Sequence, residues 1–171
     1  MLDQQHMTDE IQKTFLTCRL GEECVALPVS RVVEILDPKP ATRLPQAPDF
    51  LLGYIDLRGE SILVVDLRLL LARPYKEDTP ETRIVVLSVR NGGSEMPVGL
   101  RADQVFEVTR LDDDKLQTFA QDGLLNWDTR MVEGVGRRNG DFVTVLDLDR
   151  MLSSKVIAEF HQTPEEAEAQ L

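Results

Sequence analysis

The sequence contains an internal repeat, which restricts the chain to a fold of two similar units. Gly53, Gly59, Asp66 and Leu67 recur 81 positions later as the same residue types. Their counterparts in the second half are Gly134, Gly140, Asp147 and Leu148. Further upstream, an offset of 73 relates Val32 to Val105, Glu34 to Glu107, and Ile35 to Val108. Chance does not produce seven ordered matches, so we expect two β units, each ending in a capped helix.

The two offsets differ by eight residues, and this extra length lies in residues 112–129 of the second half. A unit of about 70 residues buries only a thin core by itself. We therefore expect the two units to pack on each other and to leave a groove where they meet. The polar stretch near residues 75–82 is the predicted seam between the two halves.

Residues 50–68 predict a β-hairpin that is followed by a short helix. Apolar residues alternate as far as Asp56, and Gly59 suits the positive φ of a tight turn. The run of β-branched and other apolar residues at 62–65 favours a buried returning strand. Asp66 stands at the position of a helix N-cap, before a run of good helix formers.

This hairpin also carries a family resemblance. A Gly-x-x-x-Leu-Arg-Gly hairpin (residues 53–59) leads into Val-Asp-Leu-Arg (residues 65–68). It resembles the signature of CheW, the bacterial chemotaxis coupling protein family, in which two glycines, an arginine and a capping aspartate keep this spacing. The family usually has asparagine where this chain has Asp56, and proline where it has Leu63. Neither difference disrupts the hairpin.

The resemblance covers about residues 14–153 and implies an all-β fold. The expected architecture is two pseudo-repeated five-stranded SH3-like barrels packed together, with short helices and a C-terminal helix. Residues 14–153 then form one domain of two β-barrel subdomains. Residues 1–13 are expected to be a flexible N-terminal arm, and residues 154–171 a C-terminal helix and acidic tail.

Charge and composition disfavour several classes of function. The chain has 19 basic and 30 acidic side chains, giving a net charge of −11, which opposes nucleic-acid phosphates and anionic lipid surfaces. No stretch approaches the roughly 20 apolar residues of a membrane span. The N-terminus lacks the basic and apolar regions of a signal peptide. We therefore expect a cytoplasmic protein without nucleic acid or direct membrane contact.

No pattern of catalytic, metal-binding or cofactor-binding residues emerges from the sequence. Cys18 and Cys24 flank a predicted turn, where a disulfide is geometrically conceivable but two reduced, half-buried thiols are favoured. Capping accounts for Asp66 and Asp147 better than a pair of catalytic carboxylates does. The acidic turn at residues 112–114 lacks the alternating ligands of a calcium loop. We expect no enzyme activity, no metal and no cofactor.

The resemblance implies a non-enzymatic adaptor. Such a protein joins the cytoplasmic tip of a methyl-accepting chemoreceptor to the regulatory domain of a CheA-type histidine kinase, in arrays at the membrane. The same module in a chemotaxis-like pathway for motility or surface sensing remains an alternative. A small-barrel enzyme or nucleic-acid binder is the alternative from another class, and the acidity and absent site chemistry weigh against it.

Six residues are candidates for receptor binding, with Arg58 the sharpest because a guanidinium at a hairpin tip offers a fork of donors to a partner. The alternative for Arg58 is a solvated side chain, or one paired internally with Asp56 or Glu60. Val32 is equally well explained as core, and Glu34 as a solvated residue. Asn139 occupies the position equivalent to Arg58, so the repeat is not expected to keep the charge. The full receptor set implied by the resemblance is Val32, Glu34, Gly53, Asp56, Arg58 and Val105.

The longer loop of the second half supplies the candidates for kinase binding. Residues 116–127 hold the only tryptophan of the chain, a phenylalanine and three leucines, without strand or helix periodicity. We expect Trp127 and Leu125 to pack onto the core and Phe119 and Leu124 to form an exposed contact patch. The resemblance implies a second contact in this subdomain, and we assign it to Phe119 and Leu124.

Overall fold

The structure is a computed structural model that describes Gln4, residues 13–118 and residues 131–152. Within these residues the chain forms ten strands, one 3-10 turn at Val29–Arg31, and two short helices, α1 at Leu67–Leu70 and α2 at Leu148–Leu152. The strands are β1 Thr14–Leu20, β2 Glu23–Pro28, β3 Val32–Leu36, β4 Leu51–Leu57, β5 Glu60–Asp66, β6 Arg83–Asn91, β7 Ser94–Ala102, β8 Gln104–Arg110, β9 Val132–Arg138 and β10 Asp141–Leu146. The expected arm and tail lie outside the described residues, apart from Gln4 and Lys13.

The strands form two five-stranded sheets, which confirms the predicted all-β fold of SH3-like barrels. Sheet A has the order β8-β1-β2-β10-β9, and sheet B has the order β3-β6-β7-β5-β4. Neighbouring strands are antiparallel except for β2 with β10 and β5 with β7, which are parallel. Strands of the two sequence repeats meet in both parallel pairs, and also in the antiparallel pairs β1–β8 and β3–β6.

Each sheet combines strands from both repeats. Strands β1 and β2 of the first repeat pair with β8, β9 and β10 of the second, whereas sheet B is continuous from β3 to β7. The stretch at residues 75–82 therefore separates the two sequence repeats, but it connects β5 to β6 inside sheet B. The chain crosses between sheets at two other places, the 3-10 turn at Val29–Arg31 and the single residue Asp103.

The predicted caps are confirmed, and they are built alike in the two units. The Asp66 Oδ1 accepts a hydrogen bond from the Leu69 N–H at 2.9 Å, and the Asp147 Oδ1 accepts one from the Arg150 N–H at 3.1 Å. The Asp66 N–H donates to the Phe50 carbonyl, and the matching Asp147 N–H donates to the Met131 carbonyl. Each aspartate thus ends a strand and begins a helix in the same way.

The two hairpin tips also match, whereas the first glycine of each repeat does not. Arg58 and Asn139 both have left-handed backbone conformations, with φ of 51° and 52°. Gly53 has φ of +129°, but its counterpart Gly134 has no positive φ. Gly53 and Gly134 therefore differ in backbone geometry, although both let a neighbouring segment approach closely.

Three apolar clusters follow from the alternation of side chains along the strands. Strand β6 directs Val85, Leu87 and Val89 towards the core shared by the two sheets. Its other face directs Ile84 and Val86 into a separate cluster formed by sheet B. Ala26, Val143 and Val145 form the smaller cluster of sheet A. The shared core contains Leu16, Cys18, Leu20, Val25, Leu27, Leu51, Leu63, Val65, Leu67, Leu70, Val85, Leu87, Val89, Val98, Leu100, Ala102, Leu146, Leu148, Met151 and Leu152. The two units are thus joined by apolar burial, as expected.

The two cysteines lie on opposite faces of sheet A, so the disulfide alternative is excluded. Cys18 belongs to the shared core, while Cys24 packs against the cluster inside sheet A, and both are free thiols. Burial, with a smaller contribution from Cys24, raises the pKa of the Cys18 thiol to about 12. Cys18 is therefore a small apolar core residue at neutral pH.

Candidate functional site

The tip of the β4–β5 hairpin presents Arg58 to solvent. Its side chain is 73% exposed, and its Nη2 donates a hydrogen bond to Oε2 of Glu34 on strand β3. Below it, the Asp56 Oδ1 accepts the Gly59 N–H at 2.8 Å, which fixes the turn. Arg58 is therefore paired within the chain, but with Glu34 rather than with Asp56 or Glu60. An exposed pair of this kind adds about 0–1 kcal/mol, so it orients the guanidinium more than it stabilises the fold.

Strand β3, which carries Glu34, is an edge strand of sheet B with an exposed apolar face. Val33 and Ile35 are 61% and 43% exposed, although both are large β-branched residues. Val32, on the same strand, packs half-buried against the shared core. The sequence selected Val32 but not the exposed Val33 and Ile35, because it reveals neither the register shift between Val32 and Glu34 nor that β3 is a sheet edge.

Gly53 lies beneath the tip and has a structural role in this geometry. A Cβ at this position would lie 2.0 Å from the carbonyl oxygen of Thr42. Thr42 forms two backbone hydrogen bonds with Tyr54, of 2.8 and 2.9 Å, which attach the loop after β3 to strand β4. Gly53 is thus needed for close backbone approach, and it is buried.

The structure brings only part of the predicted receptor set together. Glu34, Asp56 and Arg58 meet at the β4–β5 tip. Val32 and Val105 instead occupy equivalent places on β3 and β8, each half-buried against the shared core. Both valines pack on the shared core, so neither joins the exposed tip.

Sheet A carries a counterpart of the Arg58–Glu34 pair that the sequence analysis missed. The Nε of Arg138 lies 3.3 Å from Oε1 of Glu107, the repeat counterpart of Glu34. The expectation that the second unit lacks this charge is therefore wrong. The offset of 81 relates Arg58 to Asn139, whereas the paired arginine stands one position earlier. The offset alone therefore does not identify Arg138. A search for arginine within one residue of the equivalent tip position would have found it.

The exposed apolar residues are repeated as well. Phe106 and Val108 on edge strand β8 are 55% and 59% exposed. They correspond, at the offset of 73, to Val33 and Ile35 on edge strand β3. Each sheet therefore has an edge strand with two exposed apolar side chains that flank a glutamate, which is paired with an arginine of a hairpin tip.

Asp112 organises the tip of the β9–β10 hairpin. Its carboxylate oxygens accept the backbone N–H groups of Asn139 and Gly140 at 2.8 and 2.9 Å. These hydrogen bonds, first that from Gly140, lower the pKa of Asp112 below its ordinary value. From the sequence, Asp112 is expected only to be part of an acidic turn. It is exposed, but it performs for this tip what Asp56 performs for the other.

A concave surface of about 740 Å³ opens between the β1–β2 and β9–β10 tips of sheet A. Phe106 and Phe142 line it, each beside an arginine, with the Arg19 guanidinium 5.1 Å from the Phe106 ring centre and that of Arg137 4.5 Å from the Phe142 ring centre. Cys24 also lines it, and burial raises the pKa of this thiol. The surface suits an apolar side chain of a partner better than nucleophilic chemistry.

The predicted kinase-binding residues Phe119 and Leu124, and also Leu125 and Trp127, lie outside the described residues. Within residues 13–118 and 131–152, no helix is long and apolar enough to cross a membrane. In the same part of the chain, no group of three or more His, Cys, Asp or Glu side chains is arranged to hold a metal ion.

Comparisons with known proteins agree with the fold and the hairpin signature. The family model of the CheW-like domain matches residues 14–156. The chain is similar to the chemotaxis protein CheW of Helicobacter pylori, at 27% identity over 138 residues, covering 81% of this chain and 80% of that protein. It is also similar to the chemotaxis protein CheW of Klebsiella aerogenes, at 27% identity over 150 residues, covering 88% and 87% respectively.

A solved structure shows the same architecture. The scaffolding protein TtCheW from Thermoanaerobacter tengcongensis aligns with a TM-score of 0.72 and 25% sequence identity, over 85% of this chain and 95% of that chain. The resemblance first indicated by the residues of the β4–β5 hairpin is thereby confirmed. Since the family model covers nearly all of the described residues, this chain belongs to the CheW-like domain family.

Proposed function

We propose that this chain is a non-enzymatic chemotaxis adaptor that couples the cytoplasmic tip of a methyl-accepting chemoreceptor to the regulatory domain of a CheA-type histidine kinase. The observation that carries the proposal is the presence of two repeat-related faces on different sheets. Each combines an exposed apolar edge strand with an arginine–glutamate pair. A protein that joins two partners needs two such separate faces, and membership of the CheW-like family supports the choice of partners.

The sheet B face is assigned to the receptor. Arg58 is exposed and already held by Glu34, so less side-chain entropy is lost when it binds a partner carboxylate or carbonyl. Val33 and Ile35 add exposed apolar area on the same edge strand. Receptor affinity then depends on the tip directly, and on Gly53 through the backbone that supports it.

The second face and the longer loop are assigned to the kinase. Phe106, Val108 and Arg138 supply the described part of this face. Phe119 and Leu124, which the sequence predicts to form a contact patch and which lie outside the described residues, are assigned to the same partner. Modest affinity at each face is sufficient, because many linked contacts act together in an array.

The location follows from the same proposal. The protein acts in the cytoplasm and reaches the membrane through receptor arrays, since its net charge of −11 opposes direct contact with anionic lipid. The same two faces also serve the alternative role, a scaffold in a chemotaxis-like pathway for motility or surface sensing. Identification of the kinase and receptor bound in the native cell distinguishes the two roles.

The test is a receptor pull-down with Arg58→Glu. We expect this substitution to abolish capture of the receptor tip and to leave thermal melting nearly unchanged, because the side chain is exposed. Lys39→Glu, which makes the same charge change at an exposed position on the loop after β3, is the matched control and should bind normally. Unchanged receptor capture by Arg58→Glu would contradict the assignment.

A further inference from the structure

An ion pair lies at each of the two places where the chain crosses between the sheets. At one crossing, the Arg68 Nε on α1 donates to both carboxylate oxygens of Asp103, at 2.8 and 2.9 Å. The same carboxylate accepts the backbone N–H of Gly21, in the β1–β2 turn, at 2.9 Å. Helix α1 follows β5 of sheet B, whereas Gly21 belongs to sheet A. We call Arg68, Asp103 and Gly21 the first clamp.

The other crossing has a second clamp, formed by Arg31, Asp149 and the backbone N–H of Arg90. The Arg31 guanidinium donates to both oxygens of Asp149 and, through Nε, to the Ser88 carbonyl at 2.8 Å. The Asp149 Oδ1 also accepts the Arg90 N–H at 3.1 Å. Asp149 lies on α2, which follows β10 of sheet A, while Ser88 and Arg90 lie on β6 of sheet B.

The two clamps are the same contact with the charges exchanged. Arg68 and Asp149 are 81 positions apart, so they occupy the same place on the two helices. Asp103 and Arg31 occupy the two crossings between sheets. In each clamp the carboxylate also accepts a backbone N–H from the first hairpin of a repeat, at Gly21 or at Arg90. The contact is thus retained in both repeats, although acid and base have changed sides.

The clamps supply directional contacts between the sheets, which the shared core does not. Apolar burial is non-directional, so it holds two sheets together without selecting one angle between them. Charge-assisted hydrogen bonds are directional, and bidentate arginine–carboxylate pairs are the most specific of them. Asp103 is buried and Arg68 nearly so, which protects the first clamp from screening by solvent.

We propose that the two clamps set the orientation of sheet A relative to sheet B, and that the shared core supplies only their cohesion. The tips of the β4–β5 and β9–β10 hairpins are then held at one fixed separation. This inference concerns the isolated chain, and it holds whether or not the proposed partners are correct.

The separation of the tips is measured by pulsed electron–electron double resonance between two spin labels. Glu60 and Asp141 are exposed, lie next to the two tips and are 81 positions apart, so Glu60→Cys with Asp141→Cys places the labels equivalently. Cys24→Ser removes the accessible native thiol, and the buried Cys18 is kept. The parent chain is expected to give a single narrow distance distribution.

Asp103→Asn together with Asp149→Asn keeps the shape of both clamps and removes their charge pairing. We expect the distance distribution to become at least twice as broad, or to shift by several Å, while near-ultraviolet circular dichroism stays native. Asp114→Asn is the matched control, because Asp114 forms an exposed ion pair with Lys13 away from the crossings. An unchanged distribution in the folded double variant would show that the shared core alone sets the angle.

A charge exchange decides the matter if the double variant does not fold. Arg68→Asp with Asp103→Arg gives the first clamp the arrangement that the second clamp already has, with the acid on the helix and the base at the crossing. The exchanged chain should give the narrow distribution of the parent. A folded exchanged chain with a broad distribution would overturn the proposal.

Discussion

Arg58 and Glu34 join opposite edges of sheet B: the arginine stands at the tip of the hairpin that contains edge strand β4, and the glutamate lies on edge strand β3. Arg138 and Glu107 make the same connection in sheet A, between the β9–β10 tip and edge strand β8. An edge strand exposes unpaired backbone groups that invite uncontrolled association. A charged pair beside each edge discourages this, and it leaves a polar feature that a specific partner can recognise.

The first prediction separates recognition from stability at this pair. In a double-mutant cycle with Glu34→Gln and Arg58→Gln, the coupling in the free energy of unfolding should be below about 1 kcal/mol, because Arg58 is exposed. Glu34→Gln alone should still weaken receptor capture, since the guanidinium loses the charged partner that holds it in place. Urea unfolding and pull-down measure the two effects. A coupling energy of several kcal/mol would instead assign the pair to folding.

The second prediction concerns Gly53. Gly53→Ala places a Cβ 2.0 Å from the Thr42 carbonyl oxygen on a backbone with φ of +129°, so it should lower the free energy of unfolding by more than about 3 kcal/mol. Gly59→Ala is the control, because φ is +85° there but no atom lies within 4 Å of the added Cβ. Its cost should be about 1–2 kcal/mol. Equal losses in the two variants would mean that the segment at Thr42 moves aside freely.

The third prediction is a pH dependence of the clamps. Burial opposes ionisation of Asp103, but hydrogen bonds from Arg68 and from the Gly21 N–H, with the charges of Arg68 and Lys76, lower its pKa below the ordinary value of 3.8. Burial likewise opposes ionisation of Asp149. Hydrogen bonds from the Arg31 side chain and the Arg90 N–H, together with the charges of both arginines, lower its pKa below the ordinary value. The charged groups that lower the pKa of Asp103 are thus Arg68 and Lys76. Those that lower the pKa of Asp149 are Arg31 and Arg90.

The sign of the effect follows from these lowered values. A carboxyl group with a lower pKa in the folded state stabilises the fold fully above its unfolded pKa and loses that contribution as the pH falls through the folded pKa. Stability should thus decline below about pH 4, and Asp103→Asn should decline less steeply than the parent chain. Urea unfolding between pH 6 and pH 2 measures this. Parallel curves for parent and variant would show that Asp103 has an ordinary pKa.

Much of the fold was predictable from local chemistry. The Asp66 and Asp147 caps and the glycine turns depend on residues close in sequence, and the repeat offset located both copies. The pairing of β1 and β2 with strands of the second repeat was not predictable, because an offset between repeats does not say which copy supplies a neighbouring strand. The hydrogen bonds from Asn139 and Gly140 to Asp112 are long-range in the same sense.

The candidate site was predictable only in part. The residue types at the β4–β5 tip and the resemblance were enough to select Arg58 and Glu34, but not to pair them. Arg138 escaped because a shift of one position changes the residue at the tip without changing the left-handed turn that Asn139 and Gly140 form. The exposure of apolar side chains on β3 and β8 depends on these strands being sheet edges, which only the strand order reveals.

The last prediction tests whether the two faces have separate partners. Phe106 and Val108 are more than half exposed on β8, so Phe106→Ser with Val108→Ser should leave the fold intact, with a change in stability within about 1 kcal/mol. Loss of their apolar area should weaken binding to the kinase regulatory domain at least tenfold. Binding to an isolated receptor tip should survive, because that contact is assigned to sheet B.

Val33→Ser with Ile35→Ser is the matched variant, since these residues hold the equivalent positions on β3. It should reverse the pattern, weakening receptor capture and sparing the kinase domain. Phe119→Ser with Leu124→Ser is expected to behave as the Phe106 and Val108 variant does, and to weaken array assembly. Isothermal titration against each purified partner measures all three variants. If both edge-strand variants weakened the same partner, the two faces would form one binding surface, and the assignment of one partner to each sheet would fail.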